Sequence, residues 1–278
     1  MSQQDYPQDW QQDWQRYLQA VIAIAKAAGD AIMQVYSTDF SVEKKEDNSP
    51  LTQADVAAHN IIVDALEQLT PDIPSLSEES ESVAYEVRES WRRYWLIDPL
   101  DGTREFVKRN GEFTVNIALI DNHESVLGVV YAPVKGLMYF ACKQSGAYKQ
   151  LDEQPPQRIS IKKFDASKPI IVGSRSHQDQ KFRDFIQNIE TNFGAAPELI
   201  SIGSSLKICL VADGTVDVYP RLGPTYEWDT AAGHCILNEA DGDIVDEQGL
   251  ALLYNNKPSL LNPSFFATNG AIKWQEFL

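Results

Sequence analysis

Basic residues are scarce in this chain. Its 278 residues carry 24 lysines and arginines against 40 aspartates and glutamates, a formal charge of −16. Such a balance argues against a polyanionic partner, whether a nucleic acid polymer or an anionic membrane surface. It leaves room for a small anion, provided a cation or a local basic cluster reverses the field where that anion binds. Cysteine is also short, at three residues (Cys142, Cys209 and Cys235), widely spaced and without a C-x-x-C pair. This argues against a disulfide framework or a zinc knuckle and for three buried small side chains in a reducing compartment. The polar start "MSQQDYPQDWQQDWQ" lacks the apolar core of a signal peptide. No uninterrupted apolar run approaches the ~18 residues of a bilayer span. The expectation is a cytoplasmic protein with no transmembrane segment and no visible anchor for peripheral membrane association.

What is present is ordinary globular material, 43% hydrophobic and 23% charged, in a chain long enough for one large domain or two sharing a cleft. From Trp14 to Tyr36 the apolar residues recur with helical spacing and one buried face. A second helix is expected from about Thr52 to Leu69, stopped by Pro71. Residues 86–93 suggest a helical turn. Three β-rich runs follow, "FTVNIALI", "SVLGVVYAPV" and "LMYFACK", separated by Asn122-His123 and Lys135-Gly136 as in a meander. "GAYKQ" and "RISI" continue an antiparallel sheet. The second half alternates strand and helix: "PIIVGS" with helix 178–193, "ELISI" with 204–213, and "VDVYPR" with 229–240. The expected organisation is an N-terminal α+β half over residues 1–157, with 1–13 as a mobile tail, and a C-terminal α/β half over 158–278.

The stretch "YWLIDPLDGTREF" runs a buried strand straight into Asp98 and Asp101. Two carboxylates at the end of a core strand are costly unless a cation neutralises them. Glu78-Glu79 after "PSLS" and Asp229 in "EWDTAAGH" stand at comparable strand ends or helix starts. Pro99 turns the chain, so the carbonyl of Leu100 can face the same space. Gly102 permits close backbone approach, and Thr103 opens a short helix whose free N–H groups favour an anion. An oxygen-only set of this kind suits Mg²⁺ or Mn²⁺ rather than zinc, with room for two ions about 3.5–4 Å apart. On chemistry alone, an ordinary Asp-rich turn remains equally open. A covalent-aspartate phosphatase needs D-x-D-G-T, and here two residues separate the aspartates. An EF-hand needs alternating acids, which Asp98 onward does not supply. Asp55, three residues after Thr52 in "LTQADVAAH", reads first as the acid of a capping box.

"DPLDGT", a downstream "WDTAAG" and a preceding "SEES", in that order, resemble the lithium-sensitive, magnesium-dependent phosphatase superfamily. It contains inositol monophosphatase, fructose-1,6-bisphosphatase and the bisphosphate nucleotidases. The resemblance runs from about Val21 to Phe266, and "DNSPLTQADVAAH", "RYWLIDPLDGTREFVKRNGEFTVNIALI" and "GSSLKICLVADG" place the chain nearest the bisphosphate nucleotidases. It implies a layered α-β-α-β-α sugar-phosphatase fold. It also implies that Glu78, Asp98, Asp101, Asp229 and the carbonyl of Leu100 hold two or three Mg²⁺ ions, with Mn²⁺ as a substitute and Li⁺ as an inhibitor. Asp55 and Thr103 would activate the attacking water, reversing the capping reading of Asp55, and Glu79 would orient the site from behind. Glu78, Leu100, Asp101, Gly102, Thr103 and Asp229 would also border the substrate's scissile phosphate.

The phosphate that is not cleaved needs cations, which an acidic chain must concentrate. The resemblance points to His177 in "GSRSH", Ser204 and Lys207 in "GSSLK", and Arg221 in "YPR". Read singly, a lone histidine is usually structural and a lysine at a helix start is usually a solvated charge. Together they imply a nucleoside bisphosphate, 3'-phosphoadenosine 5'-phosphate, hydrolysed at its 3'-phosphate to AMP. 3'-Phosphoadenylyl sulfate is a second expected substrate, and clearance of a by-product of sulfate assimilation is the expected context. The alternatives are an inositol monophosphatase-like sugar phosphatase and, outside enzymes, a silent metal- or nucleotide-binding regulator. The intact Asp55–Thr103 pair speaks against the last, because a binder needs no water-activating pair.

Overall fold

Trp14, Leu18, Val21, Ala25, Ala28 and Ile32 fall on one side of the helix Gln8–Tyr36 (α1), and all are buried. In the computed structural model, which describes residues 8–39, 41–44, 50–173 and 180–278, this face packs on helix Gln53–Leu69 (α2) and on a large sheet. Residues 8–13, expected in a mobile tail, are instead the first turns of α1. The segment Asp13–Tyr36 is long and apolar enough to cross a membrane by length and composition. The expectation of no such segment came from counting uninterrupted runs. Lys26 and Asp30 interrupt the run but not the average, and the apolar stripe serves the protein core.

Strands Val42–Lys44 (β1) and Pro50–Thr52 (β2) pair antiparallel ahead of α2. Next come Ser75–Ser77 (β3), helix Tyr85–Arg88 (α3), Arg93–Asp101 (β4), helix Thr103–Val107 (α4), Thr114–Asp121 (β5), Glu124–Ala132 (β6), Leu137–Cys142 (β7), Ala147–Leu151 (β8) and Gln157–Ile159 (β9). β3 to β9 form a seven-stranded sheet in chain order. The sheet is antiparallel except at its first pair. β3 runs parallel to β4, which corrects the all-antiparallel expectation, because α3 carries the chain back before β4 begins. At the β5–β6 turn both Asn122 and His123 have positive φ, the geometry of a two-residue hairpin.

The remainder comprises Ile170–Gly173 (β10), Gln180–Phe193 (α5), Glu198–Ser201 (β11), Leu206–Ala212 (α6), Val218–Arg221 (β12), Glu227–Glu239 (α7), Asp243–Asp246 (β13) and Phe265–Thr268 (β14). The second sheet has the order β11-β10-β12-β14-β13. β10 to β12 pair parallel as the strand–helix alternation predicts. β13 and β14, not anticipated in sequence, add antiparallel pairs.

Three cores separate five layers. α1 and α2 pack on one face of the first sheet through Trp95, Ile97, Val115 and Ile117. The other face, with Tyr94, Leu96, Ala118 and Ile120, meets α6, α7 and the second sheet. α5 closes the far side through Phe185 and Ile189 on Ile171, Val218 and Phe266. The layering is α-β-α-β-α, as expected. α7 lies against β6 so closely that a Cβ at Gly128 would strike the backbone carbonyl of Ala232. Ser125 Oγ donates to Ala231 O at 2.7 Å and fixes the same contact. That contact sets the height of α7, and hence of Asp229, above the sheet.

Candidate active site

Side chains alternate faces along β4, so Asp98 should share a side with Leu96 and Tyr94, and Asp101 should point the other way. The pairing with β5 changes this. Asp98 stands opposite Asn116 and Asp101 opposite Thr114, so three steps on β4 face two on β5. This bulge at Pro99-Leu100 turns Asp101 back to the side of Asp98, toward α6 and α7, while Leu100 drops into the α1–α2 core. The Leu100 N–H donates to Asp98 Oδ1 at 3.1 Å and steadies the turn. Gly102 follows with φ of 94°, a conformation that disfavours any side chain, and α4 begins at Thr103.

Glu78 reaches the same space from β3. Its N–H continues the parallel ladder by donating to Ile97 O at 3.0 Å, which seats the residue beside Asp98. Asp229 arrives from the first turn of α7, where its Oδ2 accepts from Tyr226 N at 2.9 Å. Carboxylate oxygens of Glu78, Asp98 and Asp229 all lie within 4.8 Å of one another. Burial first, then the charges of Asp101 and Glu78, hold the Asp229 carboxyl well above the usual aspartate range. Oxygen-only donors in mutual repulsion are the counterpart of a hard divalent cation, so the residues fit Mg²⁺ or Mn²⁺. Asp101 stands slightly apart, its Oδ2 receiving Ser205 N and Ser205 Oγ, each at 2.5 Å.

Asp55 performs the capping role read from its spacing, and more. Its Oδ2 accepts from Thr52 N and Thr52 Oγ1, both at 2.7 Å, at the start of α2. Its Oδ1 receives the Thr103 hydroxyl at 3.4 Å, and that hydroxyl is also 3.4 Å from Leu100 O. The side chain is 1% exposed.

A cleft opens from these acids toward the second sheet. Asp101, Gly102, Ser204, Lys207, Arg221 and Asp229 line it. Lys207 is 6% exposed, against the sequence reading of such lysines as solvated. Its Nζ donates to Ser204 O at 2.5 Å and lies 5.3 Å from the Tyr219 ring centre. Burial pushes its ammonium down to about 8, only partly offset by Asp101. Ser204 has φ of 53°, and Arg221 donates to Pro224 O at 2.7 Å. His177, with its neighbour Arg175, lies outside the described residues.

Four residues at this site escaped the sequence reading. Arg104 and Thr225 line the cleft. Asn116 donates to Ser205 Oγ at 2.9 Å and to Asp101 Oδ2 at 3.4 Å. Ser205 joins Asp101 to the backbone oxygen of Asp229, 2.6 Å from its hydroxyl. The available signals were the amide side chain inside "FTVNIALI" and the serine doublet of "GSSLK".

Five alternating layers with an oxygen-only acidic cluster between the two sheets define a sugar-phosphatase architecture. The chain belongs to the inositol monophosphatase family, whose model matches residues 13–276. Among its relatives, the 3'(2'),5'-bisphosphate nucleotidase CysQ of Escherichia coli O6:H1 is 52% identical over 250 residues, covering 89% of this chain and 98% of that protein. CysQ of Salmonella typhimurium is 51% identical over 253 residues, covering 90% and 99%. The crystal structure of CysQ from Bacteroides thetaiotaomicron superposes with a TM-score of 0.80 at 42% identity, covering 92% of this chain and 98% of that one. An IMPase of Thermotoga maritima gives 0.77 at 27% identity, covering 94% and 96%.

Proposed function

We propose that this protein is a metal-dependent 3'(2'),5'-bisphosphate nucleotidase that hydrolyses 3'-phosphoadenosine 5'-phosphate to AMP and phosphate. 3'-Phosphoadenylyl sulfate is its second substrate, and it works in the cytoplasm. The observation that carries the reading is a juxtaposition. Asp229, clustered with Glu78 and Asp98, and Gly102, which precedes the Asp55–Thr103 pair's threonine, line one cleft with Lys207, Arg221 and Arg104.

Two or three Mg²⁺ ions, replaceable by Mn²⁺ and antagonised by Li⁺, are held by Glu78, Asp98, Asp101, Asp229 and the Leu100 carbonyl. When bound they supply an acidified water and neutralise charge on the phosphoryl and leaving oxygens. The chain's own groups do the rest. Thr103 offers its hydroxyl to Asp55 Oδ1 and a lone pair to the nucleophilic water. The water's proton thereby has a route through Thr103 to a buried carboxylate. Gly102, bare of a side chain, lets the phosphate approach the backbone. Lys207, Arg221, Ser204 and His177 take the second phosphate, giving a bisphosphate its advantage over a monophosphate. No side chain becomes phosphorylated.

The test is phosphate release with Mg²⁺ from 3'-phosphoadenosine 5'-phosphate and from inositol 1-phosphate under identical conditions. A kcat/KM for the nucleotide at least ~100-fold higher is expected, the size of one or two charge-assisted hydrogen bonds. Equal or faster turnover of the inositol ester overturns the assignment.

A further inference from the structure

Ser205 immediately precedes α6, where serine ordinarily caps the helix. Its side chain makes no capping bond here. The residue is 4% exposed, and its polar atoms are committed elsewhere. Ser205 N and Oγ both reach Asp101 Oδ2 at 2.5 Å, while Oγ also lies 2.6 Å from Asp229 O. Asn116 Nδ2 donates to Oγ at 2.9 Å. One side chain therefore meets β4, β5 and α7.

The proton count makes the arrangement informative. A serine hydroxyl has one hydrogen and two lone pairs. Asn116 fills one lone pair, and two acceptors compete for the single hydrogen. A bond to a full carboxylate charge is the stronger one, so the hydrogen goes to Asp101 while that charge is unshared. Once the charge of Asp101 is shared with a cation, the balance moves toward the backbone oxygen of Asp229.

We propose that Ser205 is a positioning residue for cation binding. Its hydroxyl ties the Asp101 carboxylate on β4 to the first turn of α7, and its hydrogen passes between them as the charge on Asp101 is shared. The proposal rests on the reading of Asp101 and Asp229 as metal ligands. It adds a residue that acts through Asp101 and Asp229 and sets how tightly cations bind. It also explains why a serine stands there without capping its helix.

The test is calorimetric titration of Mg²⁺, and separately Mn²⁺, into chelator-stripped full-length protein without nucleotide. Ser205→Ala keeps the backbone N–H bond to Asp101 and deletes only the hydroxyl. It is expected to weaken cation affinity by about 10-fold, the lower end for groups that orient metal ligands. Ser205→Thr restores the hydroxyl and is expected to recover most of that loss. Unchanged affinity in Ser205→Ala overturns the proposal. So does a folded Ser205→Thr as weak as Ser205→Ala, because packing would then be the cause. If the metal-free melting transition shows that threonine does not fit, Asn116→Ala takes its place. It removes the donor shared by Ser205 and Asp101, and affinity equal to wild type overturns the proposal. Wild-type protein that takes up no cation overturns this proposal together with the metal reading. Normal cation uptake without nucleotide hydrolysis overturns the substrate assignment alone.

Discussion

Asp55 divides its carboxylate between two partners: Oδ2 holds the Thr52 backbone and hydroxyl at the head of α2, and Oδ1 takes the Thr103 hydroxyl. Stability and catalysis therefore draw on different atoms of one side chain. Asp55→Asn keeps an oxygen for one partner only and cannot accept a proton. It is expected to lower kcat by 10²–10⁴-fold, the range of general-base loss, while losing about 1 kcal/mol of stability, the usual value of a cap. Thr103→Ala should cost a similar factor in kcat with little change in melting temperature. Because the two groups act in one relay, the double variant should be no slower than Asp55→Asn alone. Additive losses would show that they do not act together.

Cation binding and pH act on the same carboxylates. The Asp229 carboxyl is raised in the folded protein by burial, then by Asp101 and Glu78. An acid raised on folding binds its proton more tightly in the native state. The stability this contributes is present below the ordinary aspartate range and is lost as pH climbs through the raised value. Chelator-treated protein should therefore become more stable as pH falls from 8 toward 5.5. Saturating Mg²⁺ at 100 times its dissociation constant should add about 2.7 kcal/mol at pH 8 and distinctly less at pH 5.5. Scanning calorimetry with and without Mg²⁺ reads both. An increment that does not depend on pH would contradict the prediction.

Lys207 titrates near 8 because burial disfavours its ammonium. A lysine lowered on folding penalises the native state below that value, and the penalty fades as pH rises from 8 toward the ordinary 10.5. Its consequence for binding has the opposite sense. The KM for a nucleoside bisphosphate should rise as pH passes 8, since the unliganded protein loses a cation facing the anion. Lys207→Met should raise KM by roughly 10–100-fold, the size of one charged hydrogen bond, and flatten that limb of the profile. A Lys207→Met enzyme with the wild-type pH–KM curve would remove Lys207 from the substrate's path.

Arg88 offers a prediction about the scaffold. It is 2% exposed, donates to Asn255 Oδ1 and Pro258 O, and its own carbonyl receives Asn255 Nδ2 at 2.5 Å. Asn255 N in turn donates at 2.7 Å to Glu227, two residues before Asp229. Arg88→Met should cost about 3–5 kcal/mol in urea unfolding, as removal of one member of a buried charged network does. A loss below 1 kcal/mol would show that the network contributes little.

Local chemistry explains what could be read from the sequence. α1 was visible because one helix face is buried from Trp14 to Ile32. β5 to β7 were visible because their turns demand residues that tolerate positive φ. Elements that depend on distant partners were legible in part or not at all. "SLSEESES" read as a short strand or loop, and β3 needs β4 as its parallel neighbour; β13 and β14 are four-residue strands that gain their hydrogen bonds from β12 and from each other. The same division runs through the site. The DPLDGT stretch carries its own turn and glycine, so its acids stood out. Ser205 and Asn116 matter only because folding sets α6 against β4 and β5, and nothing within either segment announces that contact.

The bulge at Pro99-Leu100 makes chain length a determinant of catalysis in its own right. Every other requirement of the site can be probed by exchanging one side chain for another. This one is a matter of counting. With one residue fewer between Asp98 and Asp101, the strand would alternate without the bulge, and the turn that seats Leu100 in the apolar layer beneath α1 and α2 would be lost. No substitution elsewhere would bring it back. Along this strand, natural variants should tolerate changes of residue type far more readily than a change in the number of residues.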